Sequence, residues 1–117
     1  MTQFGDSQAG FSVAFHPDEA AVRVRAWGFW SALVAAQFGN AVREACHDCP
    51  RGTALVLDMT ELKPMRDEGQ VSVGVLMKVL PKLGLAKTTV MTSSHLTKLQ
   101  LLRLATECGV KDLVQFT

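Results

Sequence analysis

The chain has 117 residues, 48% of them apolar, and a formal net charge of +1. That length is one ordinary domain, and that apolar share builds a core without help from disulfides. With acids and bases interspersed there is no basic stripe to follow a phosphate backbone, so nucleic acid is not an expected partner.

In chain order, MTQFGDSQAG (residues 1–10) is polar and glycine-containing and reads as a flexible N-terminal tail, with the domain proper over 11–117. It has neither the basic nor the apolar segment of a secretion signal. No apolar run reaches the ~20 residues that span a bilayer, so membrane insertion is not expected. Cys46, Cys49 and Cys108 are an odd number in a chain that needs no bridges, which makes a reducing cytoplasm the expected compartment.

FSVAFHPDEAAVRVRAWG reads as a hairpin. Phe11, Val13 and Phe15 alternate with small or polar neighbours, Pro17 and Asp18 supply the turn, and Arg23 and Arg25 mark a wet face opposite Val22 and Val24. Gly28 breaks the strand. Ser31 is the expected N-cap of a helix over 32–47, whose apolar face is Val34, Phe38, Ala41, Val42, Ala45 and Cys49, and Pro50 ends it. TALVLD is an almost unbroken apolar run, the pattern of a central strand, and MTELKPMRD is the loop after it. A second helix runs from Glu68 to Leu80 and is closed by Pro81. It is apolar nearly all round, which predicts an exposed patch at Val73, Met77 and Leu80. KTTVMTS is the next strand, Ser93 or Ser94 caps a third helix ending at Gly109, and DLVQF is the last strand. The order β-β-α-β-α-β-α-β predicts a single α/β domain, with a mixed, mostly parallel sheet of about four to five strands packed against helices.

From Gly28 to Phe116 the chain resembles a STAS domain, the fold of bacterial anti-sigma-factor antagonists and of sulfate-transporter tails. The likeness rests on Gly28 between a short strand and the first long helix, on LVLDMTELKPMRDEG, on LGLAKTTVMT, and on LRLATECGVKDLVQF. It implies a non-catalytic regulatory domain that binds protein through Arg66, Asp67, Glu68 and Gly69. The implied partners are an anti-sigma factor, a switch kinase or another STAS subunit, with a homodimer as a further expectation. In that family the slots matching Asp67 and Glu68 carry hydroxyls, one of which is phosphorylated. Here they carry carboxylates, which mimic a phosphate only weakly, so phosphorylation at the usual position is not expected; Thr60 and Ser72 are the nearest alternatives. The same acids also suit a helix start, where the macrodipole favours negative charge, and Asp67 is a fitting N-cap. The alternative to a protein-interaction module is a small-ligand (lipid or nucleotide) carrier, which predicts a large apolar pocket near Trp27, Trp30 and Met77.

Other motifs carry less. CHDC (46–49) falls at a helix C-terminus, where the dipole has the wrong sign for a reactive thiolate, and no further ligands complete a metal set. His16 and His95 have no acid or nucleophile at a recognisable spacing, and Ser93, Ser94 and His95 are only neighbours in sequence. No catalytic residue, metal or cofactor is expected. Trp27 and Trp30 read as packing anchors around Gly28, or as an exposed aromatic hot spot.

Overall fold

The structure, a computed structural model, describes residues 1–117. It has six strands: β1 (Thr2–Gly5), β2 (Gly10–His16), β3 (Ala21–Gly28), β4 (Ala54–Leu62), β5 (Lys87–Thr92) and β6 (Val114–Phe116). The three helices are α1 (Ala32–Asp48), α2 (Asp67–Val79) and α3 (His95–Glu107). The strands lie side by side in chain order; β1, β2 and β3 pair antiparallel, and β3 to β6 pair parallel.

That order decides where the core sits. Each parallel crossover is right-handed, and each steps to the next strand in the same direction, so all three helices fall on one face of the sheet. Strand alternation agrees. Val22, Val24, Ala26, Leu55, Leu57 and Met59 are buried beneath the helices, whereas Arg23, Arg25, Val56 and Asp58 between them are not buried. The other face of the sheet is left uncovered by the chain.

The α/β class, the mixed sheet and the three helices agree with the sequence reading. The strand count does not, because the expected tail is an edge strand. Thr2 pairs with Val13 and Phe4 with Phe11, and those two rings stack with centroids 5.9 Å apart. A four-residue strand with a single large hydrophobe has no visible alternation, so only its partner reveals it. The turn that follows closes on itself: the Asp6 carboxylate accepts from the Gln8 N–H at 2.8 Å and the Ala9 N–H at 3.1 Å. Trp27 Nε1 donates to the Asp6 carbonyl at 2.7 Å. Gly28 is required by this turn, not only by the strand end. It has φ +82°, and a Cβ there would run into the Gln8 carbonyl and come within 2.7 Å of Ala9 Cα.

β4 is longer than the apolar run suggested. A register shift between Arg25 and Trp27 in β3 keeps the pair in step as far as Gly28 and Leu62, so Thr60 and Glu61 belong to the strand and not to the loop. The core gathers around Phe38, whose ring lies 4.8 Å from Trp30 and 5.6 Å from Phe11. Trp30 is the packing anchor of the pair; its Nε1 donates to the Gly10 carbonyl at 3.1 Å. No helix is long and apolar enough to cross a membrane.

Candidate functional site at the start of helix α2

β4 ends at Leu62, and residues 63–66 carry the chain to α2 without regular structure. Met65 is buried and pins this loop. Gly69 is where the helix passes over it: a Cβ at 69 would stand 3.3 Å from Met65 Cβ, tighter than most contacts tolerate. Arg66, Asp67 and Glu68 are all exposed. Arg66, not Asp67, is the N-cap, with extended backbone and no side-chain hydrogen bond, so the two acids occupy the first turn itself. There they act through the helix dipole, worth ~0.3–1 kcal/mol each, and do not cap. The other helices start differently. Ser31 Oγ accepts from the Val34 N–H at 3.3 Å, and Ser94 Oγ accepts from the Thr97 N–H at 3.2 Å.

The expected apolar patch is corrected. Val73, Met77 and Leu80 are buried, at 2%, 5% and 6% exposure. α2 lies between α1 and α3, so its flanks and its underside are all covered. What it shows outward is a single strip: Asp67, Glu68, Val71, Val75 and Lys78, all exposed, with Val71 and Val75 one turn apart. A helix that is apolar all round does not reveal by periodicity which side is outermost.

Of the alternative hydroxyls, Thr60 is exposed and its Oγ1 donates to Asp58 Oδ1 at 2.7 Å. Ser72 is half-buried, and its backbone faces Gly39 of α1. Between the starts of α1 and α2 lies an open cleft of about 480 Å³, lined by Phe29, Trp30, Ser31, Pro64, Arg66 and Glu68 among others. The interior is filled by comparison. The cavity enclosed by Phe38, Leu57, Met77 and Leu101 measures about 10 Å³, room for about one water molecule at most.

Elsewhere, Cys46 is buried, and burial first, then the neighbouring Cys49, pushes its thiol up to about 12. Such a thiol stays neutral, the opposite of a redox nucleophile. Cys49 Sγ donates to the Cys46 carbonyl at 3.0 Å. His16, Asp18 and Glu19 gather at the hairpin turn with ligand atoms within 4.8 Å of one another, but Glu19 is already bound by Arg23 at 2.6 Å. On the uncovered sheet face Arg25 lies 5.0 Å over the half-buried Trp27 ring and pairs with Glu61 at 2.6 Å; the hydrogen bond to Glu61 and its charge raise the arginine's pKa.

The grouping that sequence reasoning missed is polar. Ser93 Oγ donates to the Thr60 carbonyl, and Thr97 Oγ1 donates to the Leu62 carbonyl at 3.1 Å. Gln100 holds both backbone groups of Met65, accepting from its N–H at 2.8 Å and donating to its carbonyl at 3.0 Å. Arg103 donates to Gln70 Oε1, and Gln70 Nε2 donates to the same Met65 carbonyl at 3.1 Å. No protein-family model matches this chain, and no curated protein matches it in sequence.

Proposed function

We propose that this chain is a non-catalytic regulatory domain of the STAS type that binds a protein partner through Arg66, Asp67 and Glu68, with the buried Gly69 fixing the helix start behind them. The contact continues along the outward strip of α2 at Val71 and Val75. One observation carries the reading: two exposed carboxylates and two exposed valines share one strip on a helix start that no side chain caps. A mixed patch of this kind, charged at one end and apolar along the other, suits association better than catalysis. The resemblance to anti-sigma-factor antagonists supports an anti-sigma factor, a switch kinase or another STAS subunit as the partner. The acids at 67 and 68 make this a module held in one state, or regulated by something other than phosphorylation there.

The test is a pull-down from the native cell, comparing wild type with Glu68→Ser and Val75→Glu. Loss of the same captured protein in both variants supports the reading; capture unchanged in both overturns it. Intact mass after incubation with lysate and ATP should show no phosphate at 67 or 68, and stoichiometric phosphate at Thr60 or Ser72 would remove the held-state idea. The small-ligand reading rests on the cleft beside Arg66. That cleft is open, and Glu68 on its rim opposes an anion such as a nucleotide, while a lipid would need an apolar chamber far larger than the core cavity. Saturable nucleotide binding that shifts the melting temperature would favour it instead.

A further inference from the structure

Thr97, Gln100 and Arg103 are spaced by three, one ridge along one side of α3, and Ser93 stands just before the helix's Ser94 cap. All four side chains point at the segment that leads into α2, and each takes a different group of it: the Thr60 carbonyl, the Leu62 carbonyl, both backbone groups of Met65, and the Gln70 amide. Thr60 and Leu62 lie in β4 beyond Met59, where its pairing with β5 ends, and Met65 lies outside helix and sheet, so these groups have no β5 partner. Side chains on and just before α3 take that place.

We infer that this ridge of α3 is a clamp that positions the β4–α2 loop and holds the start of α2 in a preformed geometry. Gln100 is its central positioning residue, because its amide meets Met65 as a second strand would, one donor and one acceptor at a time. Gln70 donates to the same carbonyl and is itself held by Arg103. A loop held this way opens only when the clamp opens, so local opening of residues 63–66 is suppressed relative to an unheld loop. A partner meeting Arg66, Asp67 and Glu68 then does not have to order them on contact. The inference rests on the proposed function only in treating this segment as the surface that meets a partner; the clamp itself is testable with the chain alone.

The experiment is amide hydrogen exchange, resolved by residue, on wild type, Gln100→Met and Leu99→Ala. Gln100→Met keeps the length of the side chain and removes both hydrogen-bonding groups, and Leu99 is exposed on another side of α3. We expect the Met65 amide to exchange about tenfold faster or more in Gln100→Met, with Leu55 and Leu57 in β4 unchanged. Leu99→Ala should leave Met65 as in wild type. Met65 exchanging at the wild-type rate in Gln100→Met overturns the clamp. So does acceleration of Met65, Leu55 and Leu57 together, which reports a loss of global stability alone. If the clamp is seen and both Glu68→Ser and Val75→Glu still capture the partner, the clamp stands and the binding reading falls.

Discussion

α2 and α3 are neighbours of equal length, 13 residues each, and they use their polar groups in opposite ways. α3 begins at a serine cap, and its ridge of Thr97, Gln100 and Arg103, with Ser93 just ahead of the cap, is spent on groups inside the molecule. α2 begins at an arginine that caps nothing, and its first-turn carboxylates stand in solvent. A side-chain cap is typically worth ~1 kcal/mol and is local geometry. Acids on a helix dipole are worth ~0.3–1 kcal/mol each and are screened by salt. The comparison teaches two uses of polar groups: α3 turns its own onto the segment between β4 and α2, and α2 leaves its own in solvent.

The largest effect that could break this picture comes from α2's two sides. Met77→Glu buries a carboxylate among apolar side chains and should cost several kcal/mol in urea or thermal unfolding. Val75→Glu, on the outward strip, should stay within about 0.5 kcal/mol. Equal midpoints for the two variants would mean that the inward and outward sides of α2 are misassigned.

Next comes the holding helix. Thr97 is fully buried, and Thr97→Val keeps its shape while leaving the Leu62 carbonyl without its donor. A loss of ~1–3 kcal/mol is expected, whereas Thr60→Ala at the exposed strand end should change stability by about 0.5 kcal/mol or less. A negligible effect of Thr97→Val would remove one of the contacts on which the contrast between the helices stands.

The helix starts themselves give smaller, more diagnostic changes. Ser94→Ala should cost ~1 kcal/mol and keep that cost in high salt. Glu68→Lys should cost ~0.5–2 kcal/mol at low salt, and much less at 1 M salt, where the Debye length is about 3 Å. Arg66→Ser should stabilise the domain by ~0.5–1 kcal/mol, because it supplies the cap that α2 lacks. Destabilisation by Arg66→Ser would show that the helix does not begin where the structure places it.

The smallest effect at neutral pH belongs to α1, which lies outside the contrast and serves as its reference. The Cys46 thiol is pushed up to about 12 in the folded chain, against about 8.5 in an unfolded one. Between those values the unfolded chain has lost the proton that the folded chain keeps, so stability should fall as pH rises above ~8.5 and be insensitive to this group below it. The chain has no tyrosine to titrate in the same range. Cys46→Val should flatten the slope of the urea midpoint between pH 8.5 and 10.5.

Much of this architecture is legible in the chain itself. Pro50, Pro81, Gly109 and Ser94 mark helix limits because their chemistry acts within a few residues, whatever the rest of the fold does. Arg23 and Arg25 mark the wet side of β3 because side chains alternate along any strand. The site is legible only at Arg66, Asp67, Glu68 and Gly69, where charge collects beside a glycine at a helix start. The clamp is not legible: serine, threonine, glutamine and arginine scattered along α3 read as an ordinary solvated side until Met65 is placed beside them.

By itself, then, the sequence determined the three helices, five of the six strands, their order, the α/β class and the acid-rich helix start, all of which follow from interactions between residues close in the chain. Tertiary structure alone decided the rest. β1 exists because β2 offers it a partner and Phe11 offers Phe4 a ring. Val73, Met77 and Leu80 are hidden because they face Leu57, Met59 and Val90 of the sheet, with Phe38 of α1 and Leu101 of α3 beside them, and helical periodicity cannot count neighbours. The loop of residues 63–66 is held because Gln100 of α3, 35 residues on from Met65, meets both of its backbone groups, a pairing that no local pattern announces.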